Sequence, residues 1–384
     1  MKKKLVLVLV VIFAFSMVLA ACGGGGGGGE VATPEPAPAP VADDTGGDEP
    51  APPPADPGQT WQVDIAVTLG EPVSPNWARI FKELQERSGG ALVTENNIYW
   101  SGSLLPIPEI PKAMQAGGAT FCNVPSPNYP DILPLNTRIV QLPFMGLKDP
   151  ITSAEVYMQL VDEFPEMKAE MADYNMLPIA ATTLGVYGLH FADQNEVHLP
   201  GDLKGRTIVP YKTELNDMLA ANSASGTYIP PHLIFDELQR GTVDGYVNNW
   251  AFQGWFGLTD VVTQHVDVGT DGMFHEFNIL CLNLDFYNSL PADLQQLWVD
   301  ILRNEGGYAD MWQDTADLVA GQRAAAEAKG DIMYVMTAEE IAAWEDSVAG
   351  CHEKSLDEIN AQRGDTAATD IYNRAVEIIK EKLG

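Results

Sequence analysis

Six histidines, four cysteines and 53 acidic side chains are spread along the 384 residues, and their spacing decides what chemistry they could do. No GxSxG, HExxH or SxxK arrangement is present, so neither a nucleophile with its base nor a zinc-bound water has a recognisable carrier. Cys22, Cys122, Cys281 and Cys351 stand far apart, without a CxxC or a Cys/His spacing. That pattern suits neither a structural zinc nor a disulfide framework. Cys122, Cys281 and Cys351 therefore read as buried thiols. His198, His232, His265, His275 and His352 fall where surface or core roles are expected, and only His190 lies in a stretch expected at a cleft. Asp244, in the turn Val243-Asp244-Gly245, suits capping of backbone amides. The expectation is a protein that binds without catalysis, with no cofactor and no metal.

The formal charge is −31, and loss of the three leading lysines would take it to about −34. Such a balance excludes nucleic acid as a partner and electrostatic docking on anionic lipid. It does not set the sign of a ligand, because a cleft can be locally basic on an acidic protein.

The chain opens with Met1-Lys2-Lys3-Lys4 and an apolar run to Ala21, broken by Ser16. A positive start followed by a short apolar stretch is a signal peptide, here residues 1–21. Leu19-Ala20-Ala21-Cys22 matches a lipoprotein cleavage site, so Cys22 is expected to carry acyl chains that hold the protein on a membrane. Residues 22–60, with seven consecutive glycines and then Pro, Ala and acids, bury too little to order themselves. Fully extended, this tether could reach on the order of 100 Å.

The remaining chain is organised around Gly201 to Trp250. Thr207-Ile208-Val209 reads as a strand, and Thr213 as the cap of a helix carrying Leu215, Met218 and Leu219. A second helix follows Pro230-Pro231 and stops at Gly241, and Tyr246-Val247-Asn248 is a second strand. Strand, helix, helix, strand is a parallel α/β unit, whose ligands sit beyond the carboxyl ends of the strands. Those ends are Val209-Pro210-Tyr211 and Asn248-Asn249-Trp250.

Elsewhere, residues 61–68 alternate as a strand, and Trp77, Ile80, Phe81 and Leu84 stripe a helix from Pro75. Asn76 either faces a ligand or caps that helix. Further strands are expected over 92–99, 117–124, 179–184, 261–269 and 274–284. Helices are expected over 108–116, 152–174 with a break at Pro165, from Pro291 with a bend at Gly306-Gly307, over 308–329, after the capping box Thr337 to Glu340, and over 369–383.

The pair of motifs Asp202-Leu203-Lys204-Gly205 through Val209-Pro210, then Leu238-Gln239 through Val243-Asp244-Gly245 and an Asn, resembles the solute-binding proteins of TRAP transporters, the dicarboxylate-binding family. The likeness extends over roughly 61–300 and includes Leu142-Pro143-Phe144 and the turn after Trp100. It implies a two-domain, periplasmic-binding-protein-like α/β fold of type II, with a hinge and a long interdomain helix. The implied domains are 61–185 with 272–300, and 186–271, with helices of 301–384 packing across both. It implies an extracytoplasmic receptor that closes on a small organic solute and delivers it to a TRAP-type, ion-gradient-driven permease.

The strand ends and the start of the first helix offer Asn76, Tyr211 and Trp250, and the resemblance, carried over by position, points to Ser126, Tyr187, His190, Val209 and Asn248 around the ligand. The family's anchoring Arg falls on Val209, or on Ile208 if one residue is missing, and Thr120 stands where Asp is usual. Three readings stay open: a ligand that is not a simple carboxylate, an anchor shifted to Arg206 or Lys212, or anion binding by His190. Trp250, Phe252, Trp255 and Phe256 form either an aromatic wall or domain core. Other uses of such a fold are a receptor for an ABC importer or a ligand sensor; a surface-anchored hydrolase is the enzymatic rival.

Overall fold

The computed structural model describes residues 58–71, 74–147, 149–268 and 273–383. The leader, Cys22 and nearly all of the tether lie outside the described residues. In chain order the body begins with β1 (Trp61–Gln62), β2 (Ile65–Ala66), α1 (Pro75–Arg87), β3 (Leu92–Val93), β4 (Ile98–Tyr99), α2 (Ile110–Gln115), β5 (Phe121–Pro125) and α3 (Pro134–Thr137). It continues with α4 (Pro150–Glu163), α5 (Pro165–Ala172), β6 (Met176–Phe191), β7 (Thr207–Val209), α6 (Thr213–Ala221), β8 (Ser225–Gly226), α7 (Ile234–Arg240), β9 (Gly245–Asn249) and α8 (Trp250–Phe256). The last part holds β10 (Gln264–Asp267), β11 (His275–Asn283), α9 (Leu284–Ser289), α10 (Ala292–Val299), α11 (Gly307–Lys329), β12 (Ile332–Val335), α12 (Ala338–Arg363) and α13 (Ala367–Leu383).

One sheet runs in the order β4-β2-β5-β11-β6-β9-β7-β8, with β10 and β12 paired beside β6. Its two halves share β6. Residues 176–186 of β6 pair with β11, whereas 187–191 pair with β9. Gly185, with φ of +108°, stands at the handover, in a backbone conformation that a side chain would strain. The expected strand over 179–184 is thus part of one 16-residue strand that also includes Tyr187 to Phe191. Local periodicity gave no sign of that continuity, because it depends on partners far away in sequence.

Both faces of the sheet are covered, so central strands such as β9 and β11 are buried at every residue rather than at alternate ones. Along β11, Ile279 and Cys281 enter the core that holds Met158, Leu160 and Ile378. Leu280 and Leu282 enter the opposite core, with Trp77, Phe81 and Trp298. In the other half, Tyr187, Leu189, Phe191 and Ile208 pack with Met218 and Trp344 on one face. Val209 and Tyr246 pack with Ile234, Leu238 and Phe252 on the other. Cys122 and Cys281 are buried thiols, and Cys351 on α12 is only half-buried.

The helix stripes set these contacts: Trp77, Ile80, Phe81 and Leu84 are the buried residues of α1. Pro165 separates α4 from α5, as a residue without an N–H must. Lys212, not Thr213, is the cap position of α6. The 23-residue α11 touches both halves. Asp314 bonds to Asn76 at the start of α1, and Arg323 pairs with Asp267 of β10 at 2.6 Å. Among the described residues no helix is long and apolar enough to cross a membrane.

Candidate ligand-binding site

A cavity of about 320 Å³ opens where the two halves of the sheet meet. Thr68, Leu69 and Gly70 follow β2, and Pro125 and Asn128 end and follow β5. Tyr211 follows β7, and Asn248 lies at the end of β9. Four parallel or mixed strands thus deliver their carboxyl ends to one hollow, the place where open α/β sheets bind ligands. A second hollow of about 400 Å³ lies beside α4, lined by Glu155, Asp162, Arg303 and Lys382. Its charges pair among themselves, Lys382 with Glu155 at 2.9 Å and Arg303 with Asp162, and no strand end points into it.

Of the eight residues singled out from the sequence, two line the cavity: Tyr211 and Asn248. The Oδ1 of Asn248 accepts from the Asn249 backbone N–H at 2.8 Å, which holds the amide in place. Tyr187 lies one layer behind, where its hydroxyl donates to Glu276 Oε2 at 2.6 Å. Ser126 is buried and accepts from the Phe277 backbone N–H at 3.2 Å. Asn76 is not at the cavity; its backbone N–H and side-chain amide both donate to Asp314 of α11.

Val209 and His190 also lie away from the cavity lining, for reasons of strand parity, and so does Trp250, the first residue of α8. Val209 follows Ile208, and the two enter opposite cores, Val209 that of α7. Tyr187, Leu189 and Phe191 share one face of β6, so His190 points to the other. There it is fully buried, with Nε2 donating to the Asn248 carbonyl at 3.1 Å and Nδ1 2.9 Å from Nδ1 of His265. Burial, then the neighbouring His265, pushes the His190 imidazole down to about 3. A neutral ring enclosed this way is no anchor for an anion. Trp250 donates from Nε1 to Asp267 at 2.9 Å and lies under the Arg323 guanidinium, 4.9 Å from its ring centre. It is core that ties α11 to the sheet.

The remaining aromatic residues of that segment do form a wall. Phe252, Trp255 and Phe256 line the cavity with Tyr211, the Phe252 and Phe256 rings 4.6 Å apart and the Tyr211 and Phe252 rings 5.9 Å apart. Arg206 is no replacement anchor: it pairs with Asp193 at 2.6 Å and lies over Phe191. Lys212 is not among the lining residues either; its ammonium donates to Gln141 at 2.8 Å and faces the Phe274 ring.

Glu276 is the charged residue among the lining residues that the motifs did not flag, which also include Thr68, Ile107, Leu184 and Pro231. It lies on β11, is only 3% exposed, and is pushed up to about 7 by burial, against the Tyr187 hydrogen bond and the pull of Lys212. A signal was available: one acid, Glu276, stands in the largely apolar stretch Phe274 to Leu284, in a strand buried on both faces. Among the described residues no group of His, Cys, Asp and Glu side chains could hold a metal ion.

This α/β architecture with a cavity at the strand ends is that of a receptor for a small molecule. The chain belongs to the DctP family, bacterial extracellular solute-binding protein family 7, whose model matches residues 67–358. A comparison with curated proteins returns no significant match. Among solved structures, the chain resembles a TRAP solute-binding protein of Rhodoferax ferrireducens in complex with copurified benzoate. That likeness has a TM-score of 0.70 and 20% identity, over 84% of this chain and 98% of that one. A marine metagenome TRAP solute-binding protein with 3-hydroxybenzoate gives a TM-score of 0.69 and 16% identity, over 84% and 99% of the two chains. One from Roseobacter denitrificans with bound β-D-glucuronate gives 0.65 and 18%, over 83% and 99%. Members of this family are solute-binding proteins and not enzymes.

Proposed function

We propose that this protein is the extracytoplasmic receptor of a TRAP-type transporter, which captures a small organic solute and hands it to an ion-gradient-driven permease. The observation that carries the reading is the cavity at the carboxyl ends of β2, β5, β7 and β9, lined from both halves of the sheet. The similar structures from Rhodoferax ferrireducens and Roseobacter denitrificans support it, since each holds an organic acid. In this reading Tyr211, Asn248, Phe252, Trp255, Phe256 and Glu276 contact the solute.

The domains are 61–185 with 272–300, and 186–271, and the helices of 301–384 join them. Closure bends β6 near Gly185, and solute contacts made to both halves favour the closed form. The permease recognises that form. The leader of residues 1–21 is removed, Cys22 is acylated, and the tether lets the body stand clear of the membrane.

Native mass spectrometry of gently purified protein tests the reading. The expected result is a small molecule bound one to one and lost on unfolding. If no molecule is retained, and no compound in a thermal-shift screen raises the melting temperature, the receptor reading is wrong. Turnover of a compound without stoichiometric binding would equally sink it.

A further inference from the structure

The polar wall of the cavity is acidic. Among the described lining residues, Glu276 is the single charged side chain; the rest are apolar, aromatic or neutral polar. The cations around it lie outside the lining: Arg206 holds Asp193, Arg323 holds Asp267, and the buried Lys212, which pulls on Glu276 from behind the lining, donates to Gln141 at 2.8 Å. The carboxylate of Glu276 is itself built in. Tyr187 donates to Oε2 at 2.6 Å, and the amide of Asn249 stands 3.5 Å from the same atom. Both partners meet Oε2, and the residue itself lines the cavity. The aromatic wall shares the cavity with it, and Trp255 remains 37% exposed at its edge.

We propose, resting on the receptor reading above, that the solute class is an organic amine: a protonated nitrogen meets Glu276, and an apolar or aromatic body lies against Tyr211, Phe252 and Phe256. A carboxylate is an acceptor-only group that an ammonium suits and a second carboxylate repels. Aromatic faces attract the same cation and also cover an apolar body. The cavity's about 320 Å³ is at the small end of ligand sites, typically ~300–1,000 Å³, so the solute is a compact one.

Proton linkage separates the two solute classes. The groups facing Glu276 are the Tyr187 hydroxyl of β6, Tyr211 and Lys212 from the turn after β7, and the uncharged Asn249 at the end of β9. Burial holds both tyrosine hydroxyls above the usual phenol range, so Glu276 is the group among them that ionises as neutral pH is crossed. Between about pH 5.5 and pH 8 an amine therefore binds more tightly as pH rises, by about tenfold or more, whereas a carboxylate that needs Glu276 protonated binds more weakly.

The test is calorimetry on the whole purified protein with a matched pair, phenethylamine and phenylacetate, at both pH values. The expected result is that phenethylamine binds, that it binds at least about tenfold more tightly at the higher pH, and that phenylacetate does not compete. Glu276→Gln is expected to weaken phenethylamine at least about tenfold; the pair on the unaltered protein decides the matter even if that variant folds poorly. Preference for phenylacetate overturns the inference, and so does binding of neither probe. A carboxylic acid found co-bound by mass spectrometry overturns the amine class while leaving the receptor reading intact.

Discussion

Glu276→Gln is expected to stabilise the solute-free protein at alkaline pH and to do little at acid pH. Glu276 is 3% exposed, and its carboxyl is raised from the usual 4.5 to about 7, chiefly by burial. The folded protein therefore binds more protons at this site than the unfolded chain does between those values. Stability falls as pH rises through that window. A shift of about 2.5 pH units at ~1.4 kcal/mol per unit comes to roughly 3 kcal/mol, nearly all of it expressed between about pH 4.5 and pH 8. Gln keeps an amide oxygen to accept from Tyr187, and any repacking cost is independent of pH. It cancels when the two proteins are compared at both ends of the range. Urea unfolding of both proteins at several pH values gives the curves. The Gln variant should gain about 3 kcal/mol on the unaltered protein from the acid to the alkaline end. Parallel curves would refute the reasoning, because they would mean that the carboxyl is as well solvated folded as unfolded.

Three further substitutions test contacts away from the cavity. Asp314→Ala removes the acceptor of the Asn76 backbone N–H and side-chain amide, at 3.0 and 2.8 Å, while Ser74 supplies no side-chain cap to α1. The expected loss is about 2 kcal/mol by urea unfolding, from hydrogen bonds to a charged group worth roughly 1.5–3 kcal/mol; an unchanged midpoint would make the contact inert. Gly245→Ala would place a Cβ 2.4 Å from the His190 carbonyl oxygen and 2.6 Å from the Phe191 ring, so a loss of about 1–3 kcal/mol is expected. Gly321→Ala, in the middle of α11, meets nothing within 4 Å and is expected to stabilise by about 1 kcal/mol. Opposite shifts in melting temperature for these two glycines check both statements.

Much of the fold was legible because it rests on local rules. The stripe of α1, the split at Pro165, the capping box of Thr337 and Glu340 and the glycine stop of α7 at Gly241 were all anticipated. Asp244 was expected to cap backbone amides, and its carboxylate accepts from the Thr207 N–H at 2.6 Å. The short strands β8 and β12 were not seen. Each is stabilised by pairing with a distant partner, β7 and β10, and β12 is at most half-buried, so it carries little apolar signal. The site was less legible. Tyr211 and Asn248 were reached by asking where strands end, but Val209 and His190 needed the side of the sheet each faces, and Trp250 the packing of α8 against Asp267 and Arg323.

The sequence by itself determined the class: an acidic α/β body without catalytic motifs, with the paired motifs of a solute receptor and its elements in order. Periodicity, caps and motif spacing are local quantities, so they survive without coordinates. Tertiary structure alone decided which faces meet. The pairing of β6 with β11 and then β9 sets the parity that turns His190 into the helix-covered core. The antiparallel placement of β11 brings Glu276 within 2.6 Å of the Tyr187 hydroxyl, across 89 residues of sequence. Whether a lone acid in an apolar strand is an error, a capping group or the polar centre of a cavity depends on which residues surround it, and contacts over that range leave no local trace.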